Sequence, residues 1–258
     1  MTNYQTNYEK WLNSDKLTDE EKKVVRQIGQ DEKQIKHYFS NGLTFGTGGL
    51  RGVMTIGLNA MNRHTVAHAT QGLAELILQE NRANDGVVIA YDCRNNSALF
   101  AKTAACVLAA NGIRVYLFED LRPTPELSFA LRELKCVAGI NITASHNPKQ
   151  YNGYKAYWED GAQFPPEHAA TVSSEINKLD IFNDIKTIDY QAALNQGKIT
   201  LIGEEIDERF LDAVQAQSIN PSAVSKVADA LRIVYTPLHG TGHRLVPKIM
   251  ERIGLKHL

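Results

Sequence analysis

Apolar runs and helical stretches alternate through the middle of the chain. Residues 86–91, 113–118 and 136–142 are short apolar runs, which predict buried strands. Between them, an alanine-rich stretch at 98–110 predicts a helix, and a stretch at 125–134 that opens with proline predicts a second one, with Thr124 as its cap. Strands and helices in this alternating order indicate βαβ units. We therefore predict an α/β fold with a mixed, largely parallel sheet and helices on both faces.

The chain before these units is charged and predicted to be helical. Between residues 4 and 39, Thr18 and Glu21 fit a capping box that opens a helix. Residues 66–77 then repeat apolar side chains at helical spacing. We expect a helical N-terminal extension, followed by the first helix of the α/β unit.

The chain after the third apolar run is less regular. Two prolines begin a helix predicted over residues 166–179, and residues 180–204 are mixed and poorly periodic. The pattern then predicts a connecting helix at 205–217, a strand at 231–235 and a helix at 245–253.

Length and pattern together suggest more than one domain. A chain of 258 residues forms one large domain or roughly two, at about 100–200 residues per domain. We divide it into a helical extension at 1–40, a main α/β unit at 41–204 and the start of a second α/β domain at 205–258. The hydrophobic fraction of 43% is sufficient for a buried core.

Charge and composition narrow the range of partners. The net charge of −1 argues against binding to nucleic acid or to anionic membranes, so a phosphorylated ligand requires a local cationic site. No apolar run approaches about 18 residues and the N-terminus lacks the pattern of a signal peptide, so we expect a cytoplasmic protein. The three cysteines are far apart, which is typical of reduced thiols.

A polar stretch follows the third apolar run, at the predicted carboxyl end of its strand. It comprises Thr143-Ala-Ser-His-Asn-Pro148 and continues through Asn152-Gly153 to Lys155. In open α/β sheets ligands bind at this edge. Pro148 disfavours helical backbone before it and Asn152-Gly153 tolerates positive φ, so we expect two turns that bracket a compact loop. A hydroxyl, an imidazole and an amine are thereby held close together.

A glycine-rich stretch occurs earlier, at residues 43–52. Its four glycines let backbone amides approach an anion closely, and Arg51 adds a planar, bidentate donor for phosphate. Taken alone, the stretch also fits a flexible turn that carries a surface arginine.

These two stretches together resemble the α-D-phosphohexomutases, which interconvert 1- and 6-phosphosugars. Thr143-Ala-Ser-His-Asn-Pro148 followed by Tyr151-Asn-Gly-Tyr-Lys155 is similar to the phosphoserine loop of that family. Phe45-Gly-Thr-Gly-Gly-Leu-Arg-Gly52 is similar to its FGTxGxRG motif, with Gly48 at the variable position. The resemblance implies the family's first domain for residues 41–204, and an incomplete second domain opened by a TPLHGTG stretch that begins at Thr236.

The resemblance also implies roles for single residues. Ser145 is expected to carry the transferred phosphate and Lys155 to act as general acid or base, with Arg51 and His146 completing the catalytic set. The residues expected to bind substrate or phosphate are Thr47, Gly48, Arg51, Ser145, His146, Asn147 and Lys155. Since roughly one ordinary lysine in 2,500 is neutral at pH 7, base action requires a lowered pKa, which Arg51 and magnesium would supply. Otherwise Lys155 serves as a cationic clamp, and His146 equally fits a role in holding the loop.

The family's reaction further implies a phosphosugar substrate, Mg²⁺, and glucose 1,6-bisphosphate as intermediate and activator. Ser145 would offer magnesium a phosphate oxygen, while the aspartate ligands of the family lie outside this sequence. We expect a phosphoglucomutase-like enzyme that needs the missing C-terminal domains of the same chain, with little turnover from these 258 residues alone. Phosphomannomutase, phosphopentomutase and phosphoglucosamine mutase are alternatives, and a non-catalytic phosphosugar-binding module is an alternative of another class.

Two other polar groups allow structural as well as functional interpretations. Asp92 and Arg94, after the first apolar run, fit a mutually satisfied pair or a helix cap near Ser97, or a role in shaping the site. Gly240 and Gly242 fit an anion-binding turn, or more simply an ordinary turn between a strand and a helix.

Overall fold

A computed structural model of the protein describes residues 2–46 and 48–258. The strands are β1 (Gly49–Val53), β2 (Val87–Tyr91), β3 (Val115–Phe118), β4 (Ala138–Ile142), β5 (Tyr151–Trp158) and β6 (Ile199–Ile202). The helices are α1 (Asn3–Asn13), α2 (Asp19–Ile28), α3 (Glu32–Phe39), α4 (Arg63–Gln79), α5 (Ser97–Ala110), α6 (Thr124–Glu133), α7 (Pro166–Lys178), α8 (Tyr190–Asn195), α9 (Glu204–Gln215), α10 (Pro221–Val227) and α11 (Leu245–Arg252).

The strands of the described residues form one sheet, in the order β1-β5-β4-β2-β3-β6. β2 pairs in parallel with β3 and with β4, and β3 pairs in parallel with β6. β5 runs antiparallel to both β1 and β4. The sheet is therefore mixed and largely parallel, as the sequence pattern predicts.

Helices cover both faces of this sheet. α4 and α5 pack over one face, where Leu73, Phe100 and Ile140 belong to one buried apolar cluster. α6 lies over the other face, where Leu127 packs with Val88. α5 connects β2 to β3, and α6 returns from β3 to β4 across the position of β2. Because the connection from β2 runs through α5 to β3 on one side, and β4 lies on the other side of β2, a crevice opens at the carboxyl ends of β2 and β4.

The helices α1 to α3 form the predicted N-terminal extension and are packed against the α/β unit. Trp11, Val25 and Phe39 are buried in one apolar cluster together with Ile56 and Phe182. Apolar burial of this kind holds an otherwise polar helical segment in place. The domain boundary at residue 40 stays a prediction, since the extension shares its apolar cluster with Ile56 and Phe182, which lie inside the main unit at 41–204.

A charged cap ties α2 to α4. Glu21 accepts from the backbone N–H of Thr18 at 2.8 Å, as the capping box predicts, and from Nε of Arg63 at 2.7 Å. Burial alone would raise the pKa of Glu21, but its bonds from Arg63, His64 and Thr18 hold that pKa well below its usual range. The carboxylate is therefore charged at neutral pH and links the two helices.

A buried ion pair fixes α9 to the segment before α6. The Arg122 side chain is fully buried and donates to both Asp207 oxygens, at 2.6 and 3.0 Å. Burial favours a neutral Asp207, but the bond from Arg122 lowers the pKa of its carboxyl. Burial, together with the neighbouring Asp207 carboxylate, raises the pKa of Glu126, so we take Glu126 as protonated at neutral pH. One charge pair and one neutral acid therefore share this site.

The observed elements follow the predicted order, except that β1 and α10 were not predicted, and the structure differs from the predictions in three further places. Residues 180–204 contain α8 and the edge strand β6, which the mixed pattern did not indicate. Residues 231–235 are not a strand: in the described chain no ladder pairs them, and Ile233 N–H donates to the His257 carbonyl at 2.9 Å. Thr124 does not cap α6 but begins it, and its hydroxyl accepts from the Asn141 amide at 2.7 Å.

Across residues 2–46 and 48–258, we find no helix with the length and hydrophobicity that a membrane span requires.

Candidate active site

The candidate site lies where β2 and β4 end side by side. The backbone N–H of Asp92, just after β2, donates to the carbonyl of Ile142, the last residue of β4, at 3.1 Å. Ser145 follows three residues later and is exposed. The crevice at the carboxyl ends of the parallel strands β2 and β4 therefore carries the predicted serine loop at its edge.

Ser145 has an unusual backbone conformation. Its φ is +54°, in the left-handed region that non-glycine residues seldom occupy. Its N–H donates to the Thr143 hydroxyl at 3.1 Å, and that hydroxyl donates to Asp92 at 2.7 Å. The Ser145 hydroxyl lies 3.4 Å from Nδ1 of His146. Backbone held in this region by surrounding bonds is a common feature of functional sites.

Arg51 and Lys155 project from the same face of the sheet. In the β1–β5 ladder Arg51 lies opposite Gly153, and Lys155 is two residues further along β5, opposite Gly49. Side chains two apart on a strand share a face, so the two cations are diagonal neighbours. Burial lowers the pKa of Lys155, and the charge of Arg51 lowers it further. Burial and Arg51 therefore shift the pKa of Lys155 in the direction that acid–base action requires.

Arg51→Gln should raise the pKa of Lys155 toward its usual value, because it removes the nearby positive charge while burial stays in place. A pH titration of the lysine side chains by carbon-detected NMR, with Lys155 assigned from a Lys155→Met variant, measures this. In the parent, Lys155 should titrate below the ordinary lysine value of 10.5, and the difference should shrink in Arg51→Gln. A Lys155 that titrates at 10.5 or above in the parent would contradict the electrostatic account.

The glycine-rich stretch approaches β5 closely. Gly48 has φ +81° and its carbonyl accepts from the Ala156 N–H at 2.7 Å. A Cβ at Gly49 would lie 1.9 Å from the Tyr154 carbonyl oxygen, so only glycine fits. Thr47, predicted to bind phosphate, lies outside the described residues. The phosphate-binding role of Gly48 stays a prediction.

The second predicted turn is wrong. Asn152 and Gly153 lie inside β5, and the left-handed residue of the loop is Ser145. Gly153 is needed for close packing, because a Cβ there would lie 2.5 Å from the Thr143 carbonyl oxygen. Asn152 is buried and its amide donates to the Ser97 hydroxyl at 2.9 Å. Both residues therefore belong to β5 and do not turn the chain: Gly153 packs closely against Thr143, and Asn152 ties the strand to the start of α5.

The remaining predicted site residues lie on the same loop. The His146 side chain is exposed beside Ser145, and Asn147 is half-buried with its N–H bonded to the Ala144 carbonyl at 3.1 Å. Asp92 and Arg94 form an ion pair at 3.4 Å, and Asp92 also accepts from Ser97. Both interpretations of this pair therefore apply, since it is mutually satisfied and also contacts the serine loop.

A cavity of about 150 Å³ adjoins Ser145. The TPLHGTG stretch closes one side of it, so this turn does reach the candidate site, and Cys93 Sγ donates to the His239 carbonyl at 2.9 Å. Sequence analysis did not identify Arg122, Thr124 and Asn141 as site residues. The only signal for them in the sequence is a polar side chain near the end of a strand or helix. The cavity is lined by Asp92, Arg122, Thr124, Asn141, Thr143, Ser145, His239, Gly240 and Thr241.

A larger cleft of about 770 Å³ lies elsewhere, between α4, α5 and residues 181–190. Three cations line this cleft, Lys16, Lys102 and Arg63, of which Arg63 is already paired with Glu21. Its walls also include the apolar side chains of Leu99 and Phe182. We place the candidate site at Ser145 because the groups there are polar, exposed and convergent.

The described residues do not assemble a magnesium site. Among them, no group of three or more His, Cys, Asp or Glu side chains is placed to hold a metal. Asp92, a carboxylate that lines the same cavity as Ser145, is engaged by Thr143, Ser97 and Arg94. Ser145 alone, once phosphorylated, would offer an oxygen ligand, and the sequence expectation of aspartate ligands located elsewhere stays open.

Comparison with known proteins identifies the family. Residues 42–181 match the family described as phosphoglucomutase/phosphomannomutase, alpha/beta/alpha domain I. A phosphoglucomutase from Staphylococcus saprophyticus is 38% identical over 225 residues, covering 87% of this chain and 40% of the relative. A phosphopentomutase from Homo sapiens is 34% identical over 258 residues, covering 95% of this chain and 41% of the relative.

A solved structure shares the fold. The phosphoglucomutase parafusin from Paramecium superposes with a TM-score of 0.65 at 18% identity, covering 85% of this chain and 43% of that one. The present chain thus spans about two fifths of the length of the relatives that it matches.

Proposed function

Since the chain belongs to the phosphoglucomutase/phosphomannomutase family, we propose that Ser145 carries the phosphoryl group of a phosphohexomutase reaction. The proposed reaction interconverts glucose 1-phosphate and glucose 6-phosphate through a phosphoserine and glucose 1,6-bisphosphate. The observation that carries the proposal is the exposed Ser145, left-handed at the end of β4, beside a sheet face with two cations.

The proposed step transfers phosphate between two oxygens. The bond between phosphorus and Oγ of Ser145 breaks as a sugar hydroxyl oxygen bonds to phosphorus, and the exposed Oγ takes a proton from solvent to become the serine hydroxyl. The proton of the sugar hydroxyl passes to Lys155 in its neutral form, a fraction that the lowered pKa increases. In the reverse transfer the Ser145 hydroxyl loses its proton to solvent as it bonds to phosphorus, and the Lys155 ammonium returns a proton to the departing sugar oxygen. Arg51 adds a fixed positive charge that stabilises the transferred phosphoryl group. Phosphoryl transfer depends on such charge stabilisation and on positioning more than on covalent catalysis.

The sugar and the cofactors are part of the proposal. Relatives named phosphoglucomutase support a glucose phosphate, while the human relative named phosphopentomutase makes a pentose phosphate the main competitor. Phosphomannose and phosphoglucosamine are weaker alternatives. We also propose Mg²⁺ and glucose 1,6-bisphosphate as cofactors. Because the relatives are more than twice as long, we expect little steady-state turnover from these 258 residues alone, and the reaction is followed as one slow loading and one slow discharge per chain.

Loading and discharge of the chain, followed by intact-mass spectrometry, test this proposal. With glucose 1,6-bisphosphate and Mg²⁺ the chain should gain the mass of one phosphoryl group. Glucose 1-phosphate or glucose 6-phosphate should then remove it, faster than ribose 5-phosphate does. Saturable binding of phosphosugar without any gain in mass would reject the mutase and favour the non-catalytic binding module.

A further inference from the structure

The guanidinium of Arg94 lies behind the serine loop. Its side chain is 13% exposed. One terminal nitrogen donates to the carbonyls of Pro148 and Tyr151, at 3.0 and 3.1 Å. The other donates to the carbonyls of Ser145 and Asn147, both at 2.7 Å. Four backbone carbonyls of the loop, spread over seven residues of sequence, thus converge on one side chain.

The remaining nitrogen of Arg94 faces a carboxylate. Its Nε lies 3.4 Å from an oxygen of Asp92, at ion-pair distance. A guanidinium has five N–H donors and no acceptor, and the two terminal nitrogens of Arg94 already donate to four loop carbonyls. The terminal nitrogens, which would grip a substrate phosphate, are therefore engaged by the protein. Arg94 is thus committed to the loop, unlike Arg51, which is exposed on β1.

Asp92 fixes the N–H side of Ser145, whereas Arg94 fixes its carbonyl side. It accepts from the Thr143 hydroxyl at 2.7 Å, and Thr143 in turn accepts from the Ser145 N–H at 3.1 Å. The Ser97 hydroxyl and the Arg94 N–H occupy its second oxygen, at 2.7 and 2.9 Å. The N–H and the carbonyl of Ser145 are therefore both fixed, through Thr143 and through Arg94. Bonds on both sides of one residue are what a left-handed φ of +54° needs in order to persist.

We infer that Arg94 is a positioning residue, which holds the serine loop in the backbone geometry that presents the Ser145 hydroxyl. Its catalytic consequence rests on the proposed function, whereas its effect on the loop does not. Lysine cannot replace it, because an ammonium has three donors and no planar fork to span four carbonyls. A displacement of about 1 Å in a reacting group costs on the order of 100-fold in rate, so loss of this clamp should slow loading of Ser145 strongly.

The test compares Arg94→Ala and Arg94→Lys with Arg26→Ala, a control at an exposed arginine of α2. Hydrogen–deuterium exchange of peptides covering residues 144–151 should be at least about 10-fold faster in both Arg94 variants, with parent-like exchange in the strands of the sheet. Phosphate uptake from glucose 1,6-bisphosphate should fall on the order of 100-fold. Millimolar guanidinium should restore part of the uptake in Arg94→Ala, an effect that general destabilisation does not produce.

Loop exchange and phosphate uptake equal to those of Arg26→Ala would overturn the inference. If Arg94→Ala fails to fold, Arg94→Lys decides: faster loop exchange with a parent-like melting temperature supports the clamp, and parent-like loop exchange rejects it. If the parent itself takes up no phosphate, the proposed function fails, while the exchange measurement still decides whether Arg94 holds the loop.

Discussion

Ser145→Ala is expected to abolish phosphate uptake from glucose 1,6-bisphosphate. The substitution removes the oxygen to which phosphorus bonds, and removal of a covalent nucleophile costs about 10³-fold or more in rate. Stability should change little, within about 0.5 kcal/mol, because the hydroxyl is exposed and its nearest polar contact is His146 at 3.4 Å. Radiolabelled phosphate counted on the purified chain measures the uptake, and urea unfolding measures the stability.

Two companion variants separate chemistry from folding. Ser145→Gly should also take up no phosphate but should be at least as stable as Ser145→Ala, because glycine accepts a φ of +54° without strain. Ser174→Ala, at an exposed serine of α7, should load like the parent. Undiminished labelling of Ser145→Ala would exclude Ser145 as the carrier and would require another residue to accept the phosphate.

Lys155→Met is expected to slow phosphate transfer by about 10²–10⁴-fold, the usual contribution of a general acid or base. Methionine keeps much of the buried volume of lysine and removes its titratable amine. The rate of discharge from the phosphorylated chain to glucose 6-phosphate, followed by mass spectrometry in a quench experiment, measures the loss. The matched control is Lys149→Met, since Lys149 is exposed on the serine loop and has no assigned role.

The same variant should be more stable than the parent at neutral pH. Burial and Arg51 lower the pKa of Lys155 below its ordinary 10.5, so the folded state holds a charge that it disfavours. Between the lowered pKa and 10.5 the unfolded state binds more protons, and stability rises with pH through that window. Below the window the unfavourable charge acts in full, and Lys155→Met removes it. A variant that gains stability while it loses transfer indicates a residue kept for function; a destabilised variant with unchanged transfer would contradict the assignment.

The central sheet could be predicted because its signals are local. The apolar runs that became β2, β3 and β4 are buried on both faces, and the helices between them begin at a proline or an alanine-rich stretch. Alternation along the chain then determines parallel pairing, and the chirality of the crossovers places helices on both faces. Burial and periodicity sufficed for these elements.

The elements that were missed depend on partners distant in sequence. β6 is a four-residue edge strand with two exposed positions, so its pattern is too short and too polar to stand out before it pairs with β3. Residues 231–235 look like a strand but lack a ladder in the described chain, because apolar β-branched residues alone do not supply hydrogen-bond partners. In both cases the tertiary partner decides the structure.

The candidate site shows the same division. Motif spacing indicated Ser145, Arg51 and Lys155. The fold places Arg51 and Lys155 on one face of the paired strands β1 and β5, and Ser145 on the loop that joins β4 to β5. The motif spacing did not indicate that Ser145 is the left-handed residue, or that Gly153 is a close-packing position within β5. Nor could the sequence decide whether Arg94 only pairs with Asp92 or also shapes the site. The four carbonyls that Arg94 contacts lie 51 to 57 residues away along the chain. Contacts over that separation are set by the folded sheet.

The most direct test of the account is the location of the phosphate. After incubation of the parent chain with glucose 1,6-bisphosphate and Mg²⁺, tandem mass spectrometry of its peptides should find one phosphoryl group on Ser145, and treatment with glucose 6-phosphate should remove it. A phosphate at any other residue, or on Ser145 but resistant to the sugar phosphate, would contradict Ser145 as the carrier of the transferred group.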